Sequence, residues 1–408
     1  MKRSGPTPWQ ALAVQLHGQR IGVINRLAGE RHLFSFEQAY LDDPARSTLS
    51  LSYKNQQGDL VSSVKPVRRR VPPFFSNLLP EGHLRTYLSE QAGVNPEREY
   101  LLLGALGADL PGAVVITPYG EPDLGDDLSA TLRSATREAS VLRFSLAGIQ
   151  LKFSAVMEAA GGLTIPAEGI GGSWIVKLPS LSFAAVPENE YLMLRLARAA
   201  GIHVPEARLV PVGEIRGLPL EASRLPGMAL ALRRFDRTNS GQRIHMEDFA
   251  QVFGLFPEAK YKLVSYSMLA RVLAAETGPA SIEQFIRRLT FSVVTGNGDM
   301  HLKNWSLLYP DERSAVLSPA YDLVATAPYI PGDQLALTFG GSRSMLDIDE
   351  ERIRRFAEKA ALAVDWVSGI VAETIGRTVD EWQRLDEKAL LPPEVLGAID
   401  AQISRFKA

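Results

Sequence analysis

Apolar residues recur in short alternating runs near the start of the chain, in Gly- and Pro-punctuated segments through the middle, and at helical spacing towards the end. Leu12 to Leu16 and Ile21 to Leu27 alternate apolar and polar positions around His17-Gly18-Gln19-Arg20. A period of two puts alternate side chains on one face of a strand, and a glycine between two such runs suits a tight turn, so a hairpin is predicted. Further strand-like runs lie at Leu49 to Tyr53 and Gly112 to Thr117, with helices expected over Phe74 to Ala92 and Glu97 to Leu106. Residues 1–118 therefore read as a small α+β domain. Residues 119–139, rich in Gly, Asp, Ser and Thr, read as a linker. A strand-rich lobe is expected over 140–240, from Leu151 to Val156, Ser173 to Leu178, Leu209 to Val212 and Leu230 to Phe235. One helix interrupts it, Asn189 to Ala200, stacking Leu192 on Leu196 and stopped by Gly201. Residues 241–408 are mainly of helical period, and Ser281 with Gln284 suits a capping box ahead of Phe285, Leu289 and Val293.

Composition narrows the field. The 408 residues are 46% hydrophobic and 22% charged, enough to bury large cores, and the length suggests more than one domain. Lys plus Arg at 44 against Asp plus Glu at 46 gives a net charge of -2, so no global field draws the chain to nucleic acid, and any DNA contact must be local or made by a partner. Zero cysteines exclude disulfides, thiolate metal sites and cysteine nucleophiles. The six histidines form no HExxH-like pair. The opening MKRSGPTPWQ leads into no apolar h-region, and no run of 18 apolar residues occurs, so a cytoplasmic protein without membrane contact is expected.

Candidate chemistry gathers in the second half. Asp299 and Asn304, in Thr295-Gly-Asn-Gly-Asp-Met-His-Leu-Lys-Asn304, stand five residues apart, the spacing by which a kinase catalytic loop presents a base and a metal ligand together. Alone, Asn-Gly-Asp reads as a turn. Two short apolar segments follow, Trp305 to Leu308 and Ala315 to Leu317, joined by a turn at Tyr309 to Arg313, and then Asp322. A kinase carries its second metal-binding Asp after such a hairpin; the bland reading of Asp322 is a helix N-cap before Leu323 to Ala325. Asn304 and Asp322 supply hard oxygens that suit Mg²⁺ with phosphate oxygens completing its shell. His301 is read as bracing the loop. Upstream, Lys177 sits in the apolar strand Trp174-Ile-Val-Lys177 and needs an anion, which ATP phosphates or Glu190 on the next helix would supply; otherwise it snorkels from an edge. Ser145-Leu-Ala147-Gly148-Ile-Gln150 is a turn with a single glycine, weak as a phosphate loop by itself. The run Arg68-Arg69-Arg70 reads first as a solvated loop, with an anionic contact surface as the competing reading.

With these pieces in order the sequence resembles the HipA family of serine/threonine kinases, the toxin components of HipBA-type toxin–antitoxin pairs. The marks run along essentially the whole chain: Phe75-Ser-Asn-Leu-Leu-Pro-Glu81, Ser145 to Gln150, Ile175-Val-Lys-Leu-Pro179, Asn189-Glu190, Arg234-Phe-Asp-Arg237, Asp248 to Gly254, Lys260-Tyr261, Gly298 to Asn304 and Tyr321-Asp322. The resemblance implies a two-lobed protein-kinase-like α+β fold behind a small N-terminal domain. It implies ATP and Mg²⁺ as cofactors, Asp299 as catalytic base, and Asn304 and Asp322 as metal ligands. Ser145, Ala147, Gly148, Gln150, Lys177, Glu190, Leu232 and Phe235 are implied around the nucleotide, with Ser145 autophosphorylated. Implied partners are a HipB-like helix-turn-helix antitoxin, operator DNA mainly through it, and an aminoacyl-tRNA synthetase as substrate. One departure touches adenine recognition: Arg233 stands where several relatives carry an acidic residue. Two other classes compete, a catalytically silent nucleotide-binding co-repressor and a small-molecule kinase. Intact Asp299, Asn304, Asp322 and Lys177 argue against the first, and the second requires a narrow, closed acceptor pocket.

Overall fold

Two left-handed residues, His17 (φ 50°) and Gly18 (φ 80°), close the first hairpin, as a tight two-residue turn between twisted strands requires. The computed structural model describes residues 9–55, 57–120, 152–158, 162–165 and 171–407. The Ser145, Ala147, Gly148 and Gln150 positions lie outside them. The chain packs as two units. The first unit holds the described residues through 120 together with Asp236–Pro257 and Tyr309–Arg313; the second holds the rest.

In the first unit β1 (Ala11–Leu16), β2 (Gln19–Leu27), β3 (Arg31–Phe36), β4 (Val67–Arg68) and β5 (Val114–Tyr119) form one sheet in the order β4-β3-β2-β1-β5. The register pairs Leu12 with Ile24 and Val14 with Gly22, so the apolar set shares one face. That face buries Leu12, Val14, Ile24 and Phe34 against Phe74, Phe75, Leu102 and Leu103. Two expectations change here. Leu51–Tyr53 is a 3₁₀ turn rather than a strand, because the Ser50 hydroxyl accepts from the Ser52 amide at 3.1 Å. The helix expected over Phe74 to Ala92 breaks into Pro73–Ser76 and α1 (Gly82–Gln91) around Pro80, which has no amide proton to continue a ladder. Next comes α2 (Glu99–Leu106). Arg237 is buried in this unit, with Nη1 2.8 Å from Asp236 Oδ2 and Nη2 3.1 Å from Asp109 Oδ1. The second half of the Arg234-Phe-Asp-Arg237 string thus anchors the first unit.

The second unit opens with β6 (Lys152–Met157), β7 (Leu163–Thr164), β8 (Trp174–Lys177), β9 (Ala207–Pro211) and β10 (Met228–Arg233), ordered β7-β6-β8-β10-β9. Between β8 and β9 runs α3 (Val186–Ala199), closed by Gly201 at φ 88°, whose amide donates to Arg198 O while that of Ile202 donates to Ala197 O. Helices α4 (Tyr266–Glu276), α5 (Pro279–Thr295), α6 (Glu350–Ala360), α7 (Val364–Arg384) and α8 (Pro393–Ser404) make up the other part, with α5 packed against α7 and α8. The hairpin after the candidate loop is present as β11 (Ser306–Tyr309) and β12 (Val316–Leu317), with Leu307 opposite Leu317. The capping box is not. Helix α5 begins at Pro279, so Ser281 lies inside it and accepts from Leu317 N at 3.1 Å, while Gln284 binds Gly201 O and His203 N. A proline at the first turn starts the helix without a capping side chain. Among the described residues no helix is long and apolar enough to cross a membrane.

Candidate active site

Every described residue of the site lies in the second unit, and the site begins with a conflict of like charges. The register sets Lys152 of β6 directly opposite Lys177 of β8, an arrangement that costs energy unless anions compensate. Lys177 is only 3% exposed. Its ammonium donates to both oxygens of buried Glu190 on α3, at 2.5 and 2.7 Å, and to Asp322 Oδ1, which also lies 3.6 Å from Lys152 Nζ. Burial works against the Lys177 charge, but Asp322 and Glu190 outweigh it and hold the ammonium above its usual range. Burial likewise opposes the Asp322 charge, and Lys152 with Lys177 reverses the outcome, holding that carboxyl well below the usual carboxylate range. Asp322 is not a helix cap: its φ is 53°, and no helix begins at residues 323–325. A non-glycine residue held there costs of order 1–3 kcal/mol.

Helix α5 ends in left-handed Gly296 (φ 71°), and the chain turns into the loop carrying Asp299. Hydrogen bonds fix the loop from within: Asp299 N donates to Asn297 Oδ1 at 3.1 Å, His301 N and Asn304 Nδ2 each donate to Asp299 O at 2.8 Å. Asn304 thereby spends its amide nitrogen on the loop, and among the described residues no donor is bonded to its oxygen. Behind the loop, Gly298 N donates to Thr326 Oγ1 at 2.7 Å, and Thr326 in turn donates to Asp333. A side chain at Gly298 would run into the Asp333 carboxylate, so any other residue there would have to displace the Thr326–Asp333 pair. His301 is 6% exposed, with its ring edge-on to Tyr261 at 5.0 Å, a bracing position.

Asp299 presents its carboxylate at the surface and accepts a 2.7 Å hydrogen bond from Tyr261. The protein crowded around it raises its pKa, with the Tyr261 hydroxyl and Lys260 pulling the other way and Asp322 and Asp333 adding to the rise. Leu232 lies in the interior strand β10, paired on both sides, with Ile175 and with Ala207. The next two amides are also engaged, Arg233 N to Glu206 O at 2.9 Å and Arg234 N to Ser173 O at 2.7 Å. Of the segment expected near adenine, this leaves Phe235, whose ring packs 5.4 Å from that of Tyr321.

The structure thus brings together Lys177, Glu190 and Asp322 by direct bonds, and Asp299, His301 and Asn304 on one braced loop. Sequence reasoning missed Lys152 and Tyr261 as parts of the site. The Lys152 position follows from strand alternation once the β6–β8 register is known; nothing local in the sequence points from Tyr261 to Asp299.

Comparison with known proteins follows the same outline. Residues 12–117 match the family model of the HipA N-terminal domain, and residues 144–382 that of the HipA-like C-terminal domain. The chain belongs to the HipA family. Y4dM of Sinorhizobium fredii, named as a kinase, is 49% identical over 95% of both chains, and Y4mE of the same organism, also named as a kinase, is 30% identical over 90% of both. The serine/threonine-protein kinase toxin HipA of Shewanella oneidensis is 27% identical over 64% of both. The fold matches a chain of the Shewanella oneidensis complex of HipA, HipB and operator DNA with a TM-score of 0.73, covering 97% of this chain and 96% of that one at 21% identity. This HipA-family member is a kinase with a mixed α/β, kinase-like fold.

Proposed function

We propose that the chain transfers the γ-phosphoryl group of ATP to serine or threonine hydroxyls of a protein, with Mg²⁺ as cofactor. The carrying observation is the Lys152–Lys177 pair facing Asp322 and Glu190, a concentration of fixed charge suited to polyphosphate, beside a loop that presents a carboxylate of raised pKa. Asn304 and Asp322 would hold the metal, since an amide oxygen and a carboxylate are the hard, sparse donor set that Mg²⁺ takes when phosphate completes its shell. When bound, the ion neutralises charge on the phosphate oxygens.

The chain's own residues perform the rest. The acceptor hydroxyl oxygen bonds to the γ-phosphorus as the bond to the bridging oxygen breaks, and the hydroxyl proton passes to Asp299, whose raised pKa makes it a better base. Tyr261 holds that carboxylate in one orientation. Lys177, kept charged by its anionic partners, offsets the charge on the phosphates. The His301 amide and the Asn304 side chain, both bonded to Asp299 O, hold the loop that presents this base.

In the same reading Ser145 is the autophosphorylation site, in a loop with Ala147, Gly148 and Gln150 that covers the phosphates. Glu190 positions Lys177, and Leu232 with Phe235 borders the adenine. The family supports a toxin role in a toxin–antitoxin pair, with a HipB-like antitoxin as partner, operator DNA reached mainly through it, and an aminoacyl-tRNA synthetase as protein substrate in the cytoplasm. The test is Asp299→Asn, which keeps shape and removes the base. Autophosphorylation with radiolabelled ATP should fall by about 10² to 10⁴ with the melting midpoint unmoved. Activity near wild type refutes the assignment.

A further inference from the structure

The run Arg68-Arg69-Arg70 is not one solvated stretch, because strand pairing sends its members to different places. Arg31 pairs with Arg68 and His32 with Val67, so β4 carries the run along the edge of β3. Arg70 turns inward: its Nε donates to Glu99 Oε1 at 3.1 Å, and its guanidinium lies 4.0 Å from the centre of the Phe256 ring. Arg69 instead lines a cleft of about 170 Å³ in the first unit, and Arg26 of β2 and Arg98 line it too.

Three features of this cleft converge on one chemistry. First, among the described residues neither Arg26 nor Arg69 has a carboxylate partner. The glutamates at the rim are Glu30 and Glu97, and Glu30 is already paired with Arg98 at 3.1 Å, so cationic charge remains. Second, the cleft lies at the start of α2, whose first turn has no capping side chain, and Arg98, Tyr100 and Leu101 of that turn all line it. The carboxylate of Glu99 in the same turn is consumed by Arg70, Ser76 and the Val71 amide and does not cap the helix. Third, Tyr100 lines the cleft at 2% exposure, and its buried hydroxyl finds no hydrogen-bond partner. A buried hydroxyl without a partner costs stability, and an acceptor oxygen reaching it would recover that cost. The ring beneath is held flat by His32, stacked at 4.8 Å, whose Nδ1 lies 2.8 Å from Arg70 O.

We propose that this cleft binds a phosphate-bearing anion between the Arg26 and Arg69 guanidiniums and the open first turn of α2, with the Tyr100 hydroxyl as a further donor. A tetrahedral phosphate offers acceptor oxygens in several directions, which matches two guanidinium forks, helix amides and a hydroxyl approaching from different sides. A carboxylate offers only two. The site lies in the first unit and involves none of the residues assigned to phosphoryl transfer, so it stands independently of the kinase chemistry.

Inorganic phosphate is the probe, titrated into the full chain by calorimetry and followed by thermal melting. Arg26→Gln and Arg69→Gln should each weaken binding about tenfold or more, the scale of a lost charge-assisted hydrogen bond. Tyr100→Phe should weaken it less, about fivefold, and should raise the ligand-free melting midpoint because the orphaned hydroxyl is gone. Asp322→Ala in the second unit should leave these differences in place. Wild-type affinity in both arginine variants, binding that responds only to Asp322→Ala, or no binding at 10-millimolar concentrations of phosphate, on the order of a weak-ligand limit, overturns the proposal. A short oligothymidine distinguishes the source. Displacement of phosphate by it in wild type, lost in Arg69→Gln, assigns the phosphate to a nucleic-acid backbone; phosphate binding that it does not disturb assigns a small phosphorylated molecule.

Discussion

Replacing Lys177 by Met tests the charge network at its most exposed point of logic, because methionine keeps the apolar stem and removes only the ammonium. Lys177 is 3% exposed and Glu190 is 0% exposed, and the lysine binds both oxygens of that glutamate. Removing one partner of a buried pair leaves an uncompensated charge and costs about 3–5 kcal/mol. At about 2–4 °C per kcal/mol for a unit of this size, the melting midpoint should fall by roughly 6–20 °C. The pH dependence identifies the cause. Burial already pushes Glu190 up from its ordinary carboxyl value of 4.5, with Lys177 the chief opposing influence, so the variant raises it further. A carboxyl whose folded pKa is raised carries no penalty below its unfolded pKa, and the penalty grows as pH rises towards the folded value. The variant's deficit relative to wild type should therefore be large at about pH 7.5 and shrink towards about pH 5. Adding Glu190→Gln should recover most of the loss at the higher pH. Scanning calorimetry of wild type, single and double variants at both pH values decides it. A single variant melting within about 2 °C of wild type at the higher pH, or a deficit equal at both, refutes the reasoning.

Asp322→Ala removes an anionic oxygen from the proposed metal pair and should weaken Mg²⁺-dependent ATP binding at least about tenfold by calorimetric titration. Tyr261→Phe removes the hydrogen bond that lowers the Asp299 pKa, so the acid limb of the pH–rate profile should move to higher pH. An unmoved limb separates Tyr261 from the base. Ser145→Ala should abolish the major autophosphorylation while ATP binding persists. Ser145→Asp, with less than the -1.5 to -2 charge of phosphoserine, should inhibit only in part, and mass spectrometry locating the phosphate elsewhere counts against the Ser145 loop.

Local chemistry was legible wherever its cause spans only a few residues. The His17-Gly18 turn, the Asp299–Asn304 spacing, the hairpin Ser306–Leu317 and the Gly201 stop of α3 depend on period, turn residues and capping within one or two turns of chain. Lys177 in the run Trp174 to Lys177 announced by itself that a buried cation needed an anion, and that follows from solvation alone. Which anion was a matter of packing: Glu190 is 13 residues away and Asp322 is 145, and both reach the same nitrogen only because the tertiary fold brings α3, which packs on β9 and β10, and the stretch after β12 to the end of β8. Tyr261 meets Asp299 across 38 residues with no periodicity to betray it. Ser281 and Gln284 met every local rule for a capping box, yet Pro279 opens the helix two residues earlier and tertiary partners, Leu317 and Gly201, take both side chains. The arginine run shows the same division. Its charge was plain from composition, but whether each arginine was buried in an ion pair, packed on a ring or left facing a cleft was decided by where β4 pairs and where α2 begins, since electrostatic and packing energies depend on distance in space and not along the chain.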